Sequence, residues 1–218
     1  MYEVQLRNIF RIAQFPVEAW AHRNFVLTTN MVQQLRPLPY LERWNLALTS
    51  EWYHIKMEDH SLFQFQEGGA NSSLSYVQCP LDVPTFRQFL QQSHGVELNQ
   101  ATKRQYQAEY DMVLQTAGER RHVAPIRCDR DPHAYRAGVH PLCHIHIGLD
   151  NDIRIALRRE MSAIGFVLLI MRQHYPLSWE RLLDHHAKLK LSDRIRHSCA
   201  EIAHPWWELR DEIELCLA

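Results

Sequence analysis

The sequence predicts an α+β fold: an antiparallel sheet of about six strands packed against N-terminal and C-terminal helices. Three observations predict it. Segments that alternate with period two, or are rich in aromatic and β-branched residues, gather in the middle of the chain, over 52–79 and 123–158. Helical spacing is confined to the two flanks and to inserts between these segments. Links rich in Pro, Gly, Asp and Asn separate the strand candidates, as turns between antiparallel neighbours require.

Residues 1–39 are expected to be N-terminal helices. Val4, Leu6, Ile9, Phe10, Ile12 and Ala13 set a helical spacing over 3–14 that Pro16 ends. A second helical candidate lies within 17–35, closed off by Pro37 and Pro39. Residues 40–160 are the sheet region with inserted helices. Strands at 52–57, 62–66 and 74–79 form an antiparallel meander, with turns at 58–60 and 67–73. Pro80 and Pro84 break the sheet, and 85–93 resumes helical spacing through Phe86, Phe89 and Leu90. The polar run 99–116 reads as a surface helix. Strands at 123–131, 142–148 and 153–158 complete the sheet, the last two joined by a hairpin connection at 149–152.

Residues 161–218 are expected to be C-terminal helices. The first, 161–174, is apolar almost all round and so should be buried on most sides. Pro176 stops it, and Ser178 is an N-cap candidate for the next helix, with Glu180 in its first turn. Helices over 193–203 and 206–217 finish the chain. There is no internal repeat, low-complexity tract or linker. One domain over 1–218 is the simplest arrangement, and 218 residues can bury a proper core.

Composition narrows the function. The formal net charge is −1, so nucleic-acid contact needs a local patch. Only 7 glycines occur, and no Gly-rich phosphate loop is present. The 5 cysteines are odd in number and form no Cys-x-x-Cys pair, which argues against a zinc ribbon or a disulfide framework and for a reducing compartment. The start lacks a basic region followed by an apolar run, and the longest apolar stretch, 164–171, is too short for a bilayer. A cytoplasmic protein without membrane contact is the expectation.

The chemistry gathers on three strands. Successive side chains on a strand point to opposite faces. In 142–148, Cys143, Ile145 and Ile147 share one face, and His144 and His146 the other. In 123–131, Ala124, Ile126 and Cys128 oppose Arg127, Asp129 and Asp131. In 153–158, Ile153, Ile155 and Leu157 alternate with Arg154 and Arg158. Pairing these strands collects Arg127, Asp129, His144, His146, Arg154 and Arg158 on one surface. Cys128 and Cys143 fall on the apolar side, as small core residues and not nucleophiles.

Arg127-x-Asp129-x-Asp131-Pro132, then His144-x-His146-x-Gly148, then Arg154, then a buried helix ending Arg172-x-x-Tyr175-Pro176-x-x-Trp179, resemble a bacterial family catalogued as domain of unknown function 2290. Asp59-His60-Ser61-Leu62-Phe63-Gln64-Phe65 and Leu74-Ser75-Tyr76-Val77-Gln78-Cys79-Pro80 are similar to that family's first hairpin. More distantly, the central stretch is similar to TumE-type toxins of toxin–antitoxin pairs, which share an Arg-x-Asp followed by a His-x-His. That likeness implies a defence setting with nucleic acid as a target.

Three readings of the polar face stay open. In a metal-independent nuclease, His144 and His146 are acid and base, Asp129 orients one imidazole, and Arg127, Arg154 and Arg158 hold phosphate. In a divalent metal site, His144 and His146 are completed by Asp129, Asp131, His133 or His140, with the neighbouring arginines counting against it. In the third reading the row is the solvated face of an antiparallel sheet. The wider set Arg120, Arg121, Arg130, Arg136 and Arg159 would suit a phosphate backbone. His185-His186 reads as a solvated helix end, and Pro205-Trp206-Trp207 as an interface anchor or core packing. The reading favoured is a nuclease-like component of a toxin–antitoxin or phage-defence system, without cofactor. It would bind RNA and a protein partner encoded nearby. The alternative is a non-catalytic accessory subunit that binds and regulates a larger effector.

Overall fold

A computed structural model describes residues 2–21, 25–66, 71–149, 153–213 and 216–217. Helix α1 (Tyr2–Ala13) leads into strand β1 (Val17–Trp20), then α2 (Thr29–Leu35) and α3 (Tyr40–Thr49). Strands β2 (Ile55–Met57), β3 (Leu62–Gln66) and β4 (Ser72–Val77) follow. Helix α4 (Phe86–Phe89), a π-turn (Leu90–His94) and α5 (Gln100–Thr116) are inserted before β5 (Ile126–Arg130), β6 (Cys143–Ile147) and β7 (Ile153–Leu157). The chain closes with α6 (Ala163–His174), α7 (Pro176–Leu183), α8 (His186–Leu189), α9 (Leu191–Ser198), a 3₁₀ turn (Asp211–Ile213) and β8 (Cys216–Leu217).

The strands lie in sequential order from β1 to β8. The first seven are antiparallel, and β8 runs parallel to β7. All six strands expected from the sequence form, the first three marked by aromatic and β-branched residues and the last three by alternation. Residues 150–152 of the hairpin connection expected at 149–152 and 67–70 of the turn expected at 67–73 lie outside the described residues, while Ser72 and Ser73 already belong to β4.

One face of the sheet is the core. Phe63, Phe65, Leu74, Tyr76, Ile126, Cys128 and Ile145 face Leu6, Ile9 and Phe10 of α1 and Phe166, Val167 and Ile170 of α6, all buried. Seven of the twelve residues of α6 are buried, as its all-round apolar pattern requires. Ser162 caps it by accepting from Gly165 N at 3.0 Å. The opposite face is also covered, by Trp44 and Ala47 of α3 over Leu62, Val77 and Cys79. A third cluster joins α4 to Tyr110 of α5. Among the described residues, no helix is long and apolar enough to cross a membrane.

Four expectations are corrected. The helix expected within 17–35 is α2, but residues 17–20, in a region expected to hold only helices, are a strand. Val17 and Trp20 pair with Met57 and Ile55, and a free sheet edge outweighs the weak helical spacing of so short a run. Ser178 is not an N-cap: Pro176 opens α7, where its missing N–H costs nothing, and Ser178 is buried inside the helix. The helix expected over 193–203 ends at Ser198. Glu160 N donates to Ala200 O at 2.8 Å and Ile202 N to Arg158 O at 3.1 Å, a strand-like pairing that draws the chain out of the helix. No helix spans 206–217. There Trp207 and Asp211 are buried, Asp211 at 1 % exposed, while Leu209 and Ile213 are exposed. Asp211 accepts from Tyr135 Oη at 2.9 Å, Gly138 N at 2.8 Å and Glu208 N at 2.8 Å, and this tether sets the path of the tail. Gly138, at φ +67°, lets Arg210 approach: an added Cβ would lie 3.2 Å from the Arg210 backbone oxygen.

Candidate functional site

Strand register builds the site. Ser75, Arg127, His146 and Arg154 are cross-strand neighbours in one row over β4 to β7. Ser73, Asp129, His144 and Ala156 form the adjoining row. Paired residues share a face, so the structure brings five of the six candidate site residues together. The face is not left to solvent: His144 and His146 are only 2 % and 4 % exposed.

What covers the histidines is the α2–α3 segment. Leu27, Val32, Arg36, Tyr40 and Arg43 roof a cavity of about 520 Å³ whose floor carries Arg127, Asp129, His140, His144, His146 and Arg154. The sequence offers little signal for this roof. Arg36 and Arg43 sit far from the His-x-His in a stretch with no motif, and only the tertiary packing brings them over it.

Asp129 organises the floor. Its Oδ1 accepts from Ser73 Oγ at 2.7 Å, and its Oδ2 from Arg127 Nε at 2.7 Å. His146 Nε2 lies 3.7 Å from the same Oδ2. His144 Nδ1 donates to the Pro141 carbonyl oxygen at 3.2 Å. That contact assigns the proton to Nδ1 and leaves the Nε2 lone pair for a ligand. Burial, then the neighbouring His146, lowers the His144 pKa to about 4 against the partial offset of Asp129. His144 is therefore neutral at pH 7, a base or a ligand and not an acid.

The three imidazoles of His140, His144 and His146 form a row. Successive ring centroids are 4.9 and 4.7 Å apart, with the rings near perpendicular. His140 Nδ1 is sealed from solvent and has no hydrogen-bond partner among the described residues. Asp131 lines the cavity, but its Oδ1 accepts from His133 N at 3.0 Å and Ala134 N at 3.1 Å, which closes a turn. His133 is exposed on that turn.

Charge in the cavity is unbalanced. Arg36, Arg43, Arg127 and Arg154 line it against Asp129 and Asp131, while Arg130, also on the lining, is paired with Glu160 at 2.9 Å. Arg43 is held by the carbonyls of Arg36 and Leu38, at 3.3 and 3.2 Å. Its Nε is buried without a partner among the described residues. Burial foremost, with the like charge of Arg127, lowers the Arg43 pKa against the opposing effect of Tyr40. Arg154 is exposed at the rim beside His146.

Arg158 is not among the residues that line the cavity. Its guanidinium donates to the Ile202 carbonyl, pairs with Glu201 at 3.3 Å and stacks on Trp207 at 4.6 Å. β7 ends at Leu157, and the next side chain turns to the C-terminal tail. Of the wider arginine set, only Arg130 joins the cavity beside the site arginines; Arg120 and Arg159 instead bond the carbonyls of Leu81 and Cys199. Trp207 is buried in the core. Cys128 and Cys143 are buried on the other face, and burial pushes the Cys143 thiol up to about 12.

A family model described as "Uncharacterized conserved protein (DUF2290)" matches residues 10–205. The chain belongs to the DUF2290 family. The match spans the whole site, from the α2–α3 roof to β7 and the buried α6. In this DUF2290 chain the Arg-x-Asp and His-x-His strings that carry the resemblance are adjacent strands of one floor. Comparison with curated proteins and with solved structures yields no match.

Proposed function

We propose that the cavity binds a phosphate-bearing ligand and cleaves a phosphodiester, with single-stranded RNA as the substrate class. The observation that carries this reading is the excess of arginine over a buried His–His–Asp floor. Two guanidinium groups facing one cavity repel each other, and Arg43 leaves a buried N–H unpaired. A phosphate answers both costs, since its oxygens accept charge-assisted hydrogen bonds.

Cleavage of such a bond has simple needs. A hydroxyl loses its proton as its oxygen bonds to phosphorus, and the leaving oxygen gains a proton as its own bond to phosphorus breaks. Arginines stabilise the charge that builds on the non-bridging oxygens. Arg127 and Arg154 flank His146 in one row and serve as the clamp. Neutral His144 accepts a proton or lends its lone pair. His146 is the histidine whose protonated form has a carboxylate at ion-pair distance. Asp129 positions both Arg127 and His146. The toxin-like likeness of the central stretch supplies the setting, a bacterial toxin–antitoxin or phage-defence system with a partner encoded nearby.

The test uses purified protein, labelled single-stranded RNA, and the variants His144→Gln and Arg154→Ala. Arg154 is exposed, so its variant keeps the fold. Wild type should cleave, and each variant should lose about 100-fold or more in rate. Absence of cleavage and of growth arrest on expression, or equal rates in all three, overturns the proposal. Co-purification with a neighbouring gene's product in that event would favour the accessory-subunit reading.

A further inference from the structure

We infer that Asp129, His144 and His146 form a binding site for one divalent first-row transition-metal ion, with zinc as the probe of choice. The ligand atoms of these three residues lie within 4.8 Å of one another. Two imidazoles and a carboxylate are a ligand set that such ions favour, and a small closing movement of the side chains reaches bonding distances of about 2.0–2.2 Å.

The surrounding bonds match what a metal site needs. Ligating histidines commonly donate their other ring N–H to a carbonyl or carboxylate, which fixes the ring and its tautomer. His144 does this through Nδ1 to Pro141 O. Ligating carboxylates are in turn hydrogen-bonded, as Asp129 is by Ser73 and Arg127. His140, with its sealed and unpartnered Nδ1, lines the same cavity next to His144 and is the nearest further imidazole.

The arginines do not forbid the ion. Arg127, the guanidinium on this carboxylate, is already paired with Asp129, so an approaching cation meets a neutral ion pair. The inference rests on the cleavage reading only for the use made of the ion. There it would bring the pKa of bound water towards 7 and polarise a phosphoryl oxygen.

The experiment strips the full-length protein with chelator and titrates zinc, then cobalt as a visible probe of coordination. One ion per chain is expected, with a Tm rise of about 5 °C or more at saturating zinc. His144→Gln and His146→Gln, checked for fold by circular dichroism, should bind at least about 100-fold more weakly. The wild-type cobalt spectrum gives an answer that no misfolded variant can obscure, since nitrogen–oxygen tetrahedral coordination has characteristic bands. No bound ion, octahedral aqueous-type cobalt bands, or undiminished zinc binding in both variants overturns the inference. Cleavage that persists in metal-free protein would remove the ion's part in catalysis and leave the phosphodiester reading standing. An ion bound at these residues with no cleavage of RNA would do the reverse.

Discussion

At the scale of the residue, His144 shows how the same side chain means different things in strand and in fold. Alternation alone places it on a polar face, where the expected pKa is the usual 6.5; burial under the α2–α3 roof lowers it to about 4. Burial lowers His54 to about 4 as well. The sign follows from linkage. As pH falls below 6.5 the unfolded chain takes up protons that the folded chain refuses, so stability is lost between pH 6.5 and 4. Above 6.5 these groups cost nothing. The urea midpoint of unfolding should therefore drop as pH falls through that window. His144→Gln, which cannot titrate, should remove about 1–3 kcal/mol of that drop. An unchanged pH profile in the variant would show that His144 is hydrated and titrates normally.

At the scale of the element, α6 is the most legible part of the chain and the easiest to break. Its twelve residues are apolar on nearly every side because the sheet, α1, α7 and the tail together enclose it. Phe166 is fully buried and meets Phe63 of β3 edge to face, at 6.4 Å between centroids. Phe166→Ala should cost about 3–5 kcal/mol in denaturant unfolding, through lost transfer energy and the cavity left behind. A cost below about 1 kcal/mol would mean that α6 is not packed as described. Strands β2 to β7 were equally legible, because aromatic and β-branched content in β2 to β4 and period-two alternation in β5 to β7 are local properties. β1 was not, since a four-residue run after Pro16 carries too little pattern and owes its state to the edge of β2.

At the scale of the whole molecule, the tail bears on the site although none of its described residues lines the cavity. Asp211 ties the tail to Tyr135 and Gly138, in the turn that leads to His140 and Pro141. Burial raises its pKa and three hydrogen bonds lower it, with a net fall below 3.8. Its contribution to stability is thus present at neutral pH and fades in acid. Asp211→Ala leaves three donors without their acceptor, and we expect a loss of about 1–3 kcal/mol. Hydrogen exchange should quicken over 132–141, next to the histidine row. Unchanged protection there would show that the tail and the site are uncoupled.

Alternating residues determined which side chains belong to one strand face, and so the pairing of Asp129 with His144 and of Arg127 with His146 was within reach of the chain's own pattern. The apolar run 163–171 likewise determined that α6 is buried. The tertiary structure alone decided that this face is roofed, that Arg36 and Arg43 hang over it, and that Arg158 turns away to Glu201 and Trp207. The physical reason is range. Pleat and helical period are written in neighbouring residues, whereas a roof, a pKa and a diverted guanidinium depend on segments that meet only after the chain has closed on itself.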